Sequence, residues 1–214
     1  MKVKVVSKIL ESNERIAEEN RRVFDINDVY AINLMSSPGA GKTTLLERTV
    51  ELLKGEKGIG VIEGDIMGSD DAERLNRLGV PVVQINTGGA CHLDANMINE
   101  VLDDLPLEQI DILFIENVGN LVCPAEFNVG ENSKVMILAI TEGDDKPLKY
   151  PLMFQQSGVL LLNKLDLAPY LSVDIEKIER HVTLLNKEIE IFKCSAKTGV
   201  GLDNWANWLN QRLA

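Results

Sequence analysis

Histidine, cysteine and positive charge are all scarce in this sequence, and each shortage excludes something. The three cysteines, Cys91, Cys123 and Cys194, are odd in number and widely spaced, which excludes a disulfide framework. Their free state fits a reducing, cytoplasmic compartment. Lysine and arginine number 22 against 33 aspartates and glutamates, a formal net charge of −11. A surface this acidic repels phosphate backbones and anionic lipid, so neither nucleic acid nor membrane is an expected partner. Long apolar runs are absent: Val135–Ile140 and Val159–Leu162 are far too short to span a bilayer. No apolar stretch follows Met1-Lys2-Val3-Lys4, so no signal peptide is expected. Internal repeats, low-complexity segments and linkers are also lacking. The remainder is ordinary for a globular chain, with 45% hydrophobic and 26% charged residues over 214 positions. That length suits one domain burying roughly 70% of the surface its unfolded form exposes.

From about Val5 to Phe24 the apolar residues follow a helical period. Val6, Leu10, Ala17 and Phe24 share a stripe, with Ile9, Ile16 and Val23 beside it. Glu11–Arg15 and Glu18–Arg22 are favourable i,i+4 pairs on the outer face. Residues 1–28 therefore read as an amphipathic helix packed on a domain of residues 29–214. Beyond Asp28, short apolar runs alternate with helical stretches. Strands are expected at Tyr30–Met35, Gly60–Glu63, Val80–Ile85, Ile112–Ile115, Val135–Ile140, Val159–Leu162 and Ile189–Phe192. Helices are expected at Thr43–Leu53, Asp70–Leu78, Leu93–Asp103, Pro147–Gln155, Asp174–Asn186 and Leu202–Arg212. This alternation predicts a three-layer α/β fold: a mainly parallel sheet of about seven strands between helices. Right-handed crossovers place the loops after each strand along one edge, where ligands bind in open α/β sheets.

The first such loop is Ser36-Ser37-Pro38-Gly39-Ala40-Gly41-Lys42-Thr43-Thr44, between a strand and a helix. It meets the pattern G-x-x-x-x-G-K-[ST] except at its first position, where serine replaces glycine. Gly39 and Gly41 let backbone N–H groups turn onto a β-phosphate, and the helix start adds its positive dipole end. Lys42 reaches the β- and γ-phosphates, and Thr43 ligates Mg²⁺. The chain is thus a P-loop NTPase. Asn163-Lys164-Leu165-Asp166 matches the N-K-x-D motif of GTPases: the Asp166 carboxylate accepts from guanine N1–H and N2–H₂, a pair adenine lacks. Cys194-Ser195-Ala196-Lys197 looks like the S-A-K loop whose backbone faces the guanine oxygen.

Glu116-Asn117-Val118-Gly119 closes another strand, with Glu116 placed for Mg²⁺ and Gly119 for a γ-phosphate. Glu63-Gly64-Asp65 ends the second strand, where Asp65 either positions the attacking water, contacts Mg²⁺ or caps the loop. Lys42, Asp65 and Glu116 are the candidate catalytic residues. No glutamine follows Gly119 and no arginine is seen near the phosphate loop, so slow hydrolysis is expected. Cys91, His92 and Cys123 flank loops on this edge, and thiolate with imidazole suits Zn²⁺ or Ni²⁺. Three ligands are too few for a closed site; a symmetric dimer would supply six. Cys194 reads as packing and His181 as a surface residue. Leu167 and Leu171, spaced i,i+4, either form an interface or fold back onto the next helix.

Together, Ser36–Thr44, Glu63-Gly64-Asp65, Cys91-His92, Glu116–Gly119, Cys123 and Asn163–Asp166 closely resemble the hydrogenase nickel-incorporation GTPase family, HypB. That family lies within the wider SIMIBI class of P-loop GTPases. The resemblance spans nearly the whole chain, and the Cys-His pair with Cys123 singles out the hydrogenase branch. It implies a GTP-hydrolysing metallochaperone that assists nickel insertion into the [NiFe]-hydrogenase large subunit. It implies GTP or GDP with Mg²⁺ at Lys42, Thr43, Thr44 and Asp166, and nickel or zinc at Cys91, His92 and Cys123. A GTP-dependent homodimer, a HypA-type nickel and zinc accessory protein and the large-subunit precursor are the implied partners. Some members add an N-terminal cysteine motif or a histidine-rich stretch; this chain shows neither, and two histidines do not make a nickel store. Alternatives are a urease-accessory-type or other metallocentre-assembly GTPase, a P-loop small-molecule kinase, and a metal-binding module whose nucleotide is structural.

Overall fold

The structure, a computed structural model, describes residues 4–66, 68 and 70–213. Met1, Lys2 and Val3, read above for a signal sequence, and the side chains of Val5 and Val6 lie outside the described residues. In chain order the elements are α1 (Lys4–Ile26), β1 (Tyr30–Ser36), α2 (Lys42–Leu53), β2 (Ile59–Asp65), α3 (Asp70–Asn76) and β3 (Val82–Asn86). Then come α4 (Ala95–Asn99), β4 (Ile112–Glu116), α5 (Cys123–Glu126), β5 (Ser133–Ala139), α6 (Lys146–Lys149) and α7 (Pro151–Gln156). The chain ends with β6 (Val159–Asn163), α8 (Ile175–Leu185), β7 (Glu190–Lys193) and α9 (Leu202–Arg212).

The seven strands form one sheet in the order β3-β2-β4-β1-β5-β6-β7. Every pairing is parallel. Both faces are covered, so the strands are apolar on both sides. Along β1, Ile32 and Leu34 face α2 and α9, meeting Leu45, Leu46, Trp205 and Leu209. Ala31 and Met35 face the other way, towards the α1–α4 and α7–α8 layers. Val135, Ile137 and Ala139 of β5 likewise alternate with Met136 and Leu138. Trp205 Nε1 donates to Thr49 Oγ1 at 3.0 Å, tying α9 to the helix behind the phosphate loop.

Helix α1 is held by polar anchors as well as by buried Ala17 and Phe24. Asn13 Oδ1 accepts from Ala95 N at 2.9 Å, and Asn20 Nδ2 donates to Ala95 O and Val129 O at 2.8 and 3.1 Å. The apolar stripe alone does not reveal these contacts. Other boundaries shift for local reasons. The helix expected at Pro147–Gln155 is two pieces, because Pro151 pushes Tyr150 out of the helical region (φ −128°, ψ 54°). The helix expected at Leu93–Asp103 shrinks to Ala95–Asn99, capped by Asp94, whose carboxylate accepts from Met97 N at 2.9 Å. Pro81 delays β3 to Val82, and Ile140 opens a 3₁₀ turn rather than ending β5. His181 is half-buried, with Nδ1 enclosed and unpartnered, and so is not the surface residue expected.

Ser36, Asp65, Asn86, Glu116 and Asn163 all end strands on the same edge of a parallel sheet. Strand β1 sits between β4 and β5, where the chain order reverses. The loop after β1 therefore opens at the switch point of the sheet.

Candidate functional site

After Ser36 the chain turns into α2 through two left-handed glycines, Gly39 at φ 73° and Gly41 at φ 103°. Gly41 is required twice over: a Cβ there would lie 2.7 Å from Asn163 Nδ2. Lys42 opens α2, and its ammonium donates to Ser36 Oγ at 3.0 Å. Ser36, the departure from the glycine pattern, thus provides an acceptor for the lysine. The Thr43 hydroxyl, nearly buried, donates to Glu116 Oε1 at 3.1 Å. Gly41, Lys42, Thr43 and Glu116 line a cleft of about 350 Å³ with Gly39, Thr44, Asp71, Arg74 and Lys164. Here the expectation about arginine fails. Arg74, reaching across from α3, brings Nη2 to 3.5 Å from Thr44 Oγ1. Thirty positions separate them in sequence, which hid the approach.

Glu63 and Glu116 stand opposite each other in the β2–β4 register. They are 4% and 3% exposed, and the Oε2 atom of each is buried without a partner. Burial, then the charges of Glu116 and Asp65, push the Glu63 carboxyl up to about 8. Burial pushes Glu116 up to about 7 against the opposing pull of Lys42. Two orphaned carboxylate oxygens beside a threonine hydroxyl are a hard-oxygen donor set, which fits Mg²⁺. Glu63 was legible only as a strand-end acid, because register alone brings it to Glu116. Of the three roles expected of Asp65, the contacts present are those of the loop cap. Its Oδ1 accepts from Ile66 N at 2.6 Å and its Oδ2 from Gly68 N at 2.8 Å, so it caps the loop after β2. Gly119 lies against the phosphate loop; a Cβ there would meet Pro38 at 3.0 Å.

The base loop is braced to the phosphate loop. Asn163 Nδ2 donates to Ala40 O at 2.9 Å, and its Oδ1 accepts from Ala196 N at 2.9 Å. Lys164, itself left-handed at φ 65°, donates to Gly39 O at 2.7 Å. The Ser195 hydroxyl donates to Asp166 Oδ1 at 2.6 Å, fixing the carboxylate. Ala196 is buried and Lys197 exposed. A larger groove of about 680 Å³ lies elsewhere, lined by Glu14, Glu126 and Glu131, whose charge is wrong for phosphate.

Cys91, His92 and Cys123 converge, with their ligand atoms within 4.8 Å of one another. Cys91 Sγ lies 3.0 Å from Cys123 Sγ and 3.6 Å from His92 Nδ1. The three meet within a single chain, so neither loop ordering nor a second copy is required to assemble them. Burial lowers the His92 pKa, favouring the neutral imidazole that ligates metal. The hydrogen bond with Cys91, then burial, raises that of Cys123. Cys194 is buried and its thiol pushed up to about 12 by desolvation, an inert packing residue.

Asn120 joins the sites, and Asn117 ties the segment after His92 to β1. Asn120 N donates to Ser36 O at 2.8 Å, and Asn120 Nδ2 donates to Cys91 O at 3.1 Å. Asn117 Oδ1 accepts from Leu93 N at 3.0 Å. Neither asparagine stood out by type or spacing.

Comparison with known proteins points to one family. The CobW/HypB/UreG nucleotide-binding domain family matches residues 30–193. The hydrogenase maturation factor HypB of Escherichia coli K12 is 52% identical over 207 residues, covering 96% of this chain and 71% of that protein. The chain belongs to the HypB family. HypB from Archaeoglobus fulgidus superposes with a TM-score of 0.90 at 40% identity, covering 96% of this chain and 100% of that one. HypB from Helicobacter pylori, solved in complex with nickel, gives 0.89 at 37% identity, covering 94% and 95%. The signal recognition particle receptor FtsY of Elizabethkingia anophelis shares the fold alone, with a TM-score of 0.54 at 16% identity, covering 85% of this chain and 65% of that one. The family's nucleotide-binding domain is therefore present, with its phosphate loop at Ser36–Thr44. No helix among the described residues is long and apolar enough to cross a membrane.

Proposed function

We propose that this chain hydrolyses GTP to GDP and phosphate and uses that cycle to deliver nickel during [NiFe]-hydrogenase maturation. The observation that carries the reading is the convergence of Cys91, His92 and Cys123 on an edge hydrogen-bonded to the phosphate loop through Asn120. Backbone N–H groups of residues 39–44 hold the phosphates, Lys42 turns from Ser36 to the β- and γ-phosphates, and Gly119 donates to the γ-phosphate. Thr43, Glu116 and Glu63 hold Mg²⁺, which when bound neutralises phosphate charge. Asp65 supports this by holding the loop after β2. Asp166, fixed by Ser195, selects guanine, while Lys164 covers the base and Ala196 and Lys197 flank it.

Cys91, His92 and Cys123 take nickel or zinc as cargo, soft and borderline donors suited to either. Delivery involves a GTP-dependent homodimer, a HypA-type accessory protein and the hydrogenase large-subunit precursor, in the cytoplasm. Leu171 and Tyr170 are exposed beside the base loop and are dimer candidates, whereas Leu167 packs towards α8. A second client class has one support: a Helicobacter hepaticus relative, 41% identical over 216 residues (99% of this chain, 88% of that protein), is named a hydrogenase/urease maturation factor.

The test is multiple-turnover hydrolysis with GTP and ATP in parallel, phosphate release being read directly. GTP-selective release of inorganic phosphate supports the reading. Transfer to an added metabolite would indicate a kinase, and absence of turnover a structural nucleotide.

A further inference from the structure

Arg74 occupies a position that the phosphate-loop motif does not explain. Its guanidinium is gripped by two carboxylates. Nε and Nη2 donate to Glu47 at 3.0 and 2.6 Å, and Nη1 donates to Asp71 Oδ1 at 3.0 Å. Glu47 lies one turn beyond Lys42 and Thr43 on α2, whereas Arg74 and Asp71 belong to the segment after β2. The Arg74 side chain keeps 35% of its surface exposed, so the pair sits at the cleft mouth and can open. Nη2 already stands 3.5 Å from Thr44 Oγ1, in the first turn of the helix that receives the phosphates. Its field also reaches Glu116 on the far side of the cleft.

We propose that Arg74 is a catalytic residue supplied by the chain itself: released from Glu47, its guanidinium binds the nucleotide phosphates and stabilises the leaving group. The inference rests on the GTPase reading above. In the reaction a water oxygen bonds to the γ-phosphorus as the bond to the β–γ bridging oxygen breaks. The electron pair passes to the β-phosphate of GDP, and the water's proton leaves to solvent. A planar guanidinium is matched to phosphate oxygens, and an arginine in this role is worth about 10³–10⁵ in rate. Only the fraction of molecules in which Arg74 has left Glu47 and Asp71 gains that contribution, so the isolated protein turns over slowly yet still depends on Arg74. Slow turnover of the isolated protein then follows from a sequestered arginine rather than from a missing one.

The test compares single-turnover GTP hydrolysis and GTP affinity in wild type, Arg74→Ala, Arg74→Lys, Glu47→Gln and Lys42→Ala. Arg74→Ala should lower the rate about 100-fold or more, with partial recovery in Arg74→Lys and on adding free guanidinium. Glu47→Gln should raise the rate several-fold, because it weakens the grip. A purely structural α2–α3 tie predicts the opposite pairing: Glu47→Gln and Arg74→Ala would fall together, and guanidinium would rescue neither. That result, or an Arg74→Ala rate within about threefold of wild type, overturns the proposal. Turnover lost in Lys42→Ala but kept in Arg74→Ala removes Arg74 alone. A wild type without turnover removes the GTPase reading and this inference with it.

Discussion

The phosphate cleft ties its buried polar groups to one another; the thiol cluster leaves its donors near the surface. At the cleft, Asn163 holds Ala40, Lys164 holds Gly39, Ser195 holds Asp166 and Thr43 holds Glu116. Among the described residues, only Glu63 and Glu116 keep an orphaned oxygen there. At the cluster, Cys91 is exposed, Cys123 half-exposed, and the two come from loops 32 positions apart. The cleft is built to hold a charged ligand in one pose, since buried donors and acceptors without partners are costly. Exposed donors of this kind suit the proposed uptake and release of a metal ion. Asn120 hydrogen-bonds both regions.

The largest separation of the two regions should come from Lys42→Ala. GTP hydrolysis should fall by about 10²–10³, the cost of removing one charge-stabilising donor. Nickel binding without nucleotide should stay at the wild-type level. Turnover within a few-fold of wild type would break the phosphate assignment. The converse variants, Cys91→Ala and Cys123→Ala, should each weaken nickel and zinc binding by about 100-fold or more, since even outer partners of metal ligands are worth 10–100-fold. Wild-type metal binding in both variants, measured by equilibrium dialysis, would leave a GTPase without this cargo site.

A smaller effect lies within the cleft. Asp166→Asn should weaken GTP by about 10–100-fold and improve xanthosine triphosphate, whose oxygen accepts from the new amide. An unchanged order of GTP, ATP and XTP affinities would remove Asp166 from the base site. The smallest effect is on stability. Glu63 and Glu116 hold their protons to about 8 and about 7, against an ordinary value of 4.5. Between those values the folded nucleotide-free protein binds more protons than the unfolded chain. Its stability should therefore fall as pH rises from about 4.5 towards 8, and Glu63→Gln should flatten that slope. Denaturation melts across the window would show it, and a rising stability there would contradict the buried-pair geometry.

Legibility followed the same divide. Sheet class, strand count and the phosphate and base loops were readable because contiguous residues carry them: Ser36–Thr44 and Asn163–Asp166 each act within a few positions. Cys91, His92 and Cys123 were readable by residue type, and the parallel sheet brings their loops to one edge. Contacts made only by register or by crossing helices were not readable. Glu63 meets Glu116 through strand pairing, Arg74 meets Thr44 across α2 and α3, and Asn13 and Asn20 anchor α1 from its buried stripe, between and beside Ala17 and Phe24. Asp65, the more conspicuous acid by position, turned out to serve its own loop.

In the proposed cycle the two regions act as one energetic device, joined where Asn120 bridges Ser36 and Cys91. The most direct measurement is nickel and zinc affinity by equilibrium dialysis with GDP and with a non-hydrolysable GTP analogue, in wild type and Asn120→Ala. Wild-type metal affinity should differ between the two nucleotides, and metal should change the ratio of their affinities by the same factor. Asn120→Ala should shrink that factor towards one while keeping all three metal ligands. Equal metal affinity in both nucleotide states of the wild type would contradict the claim.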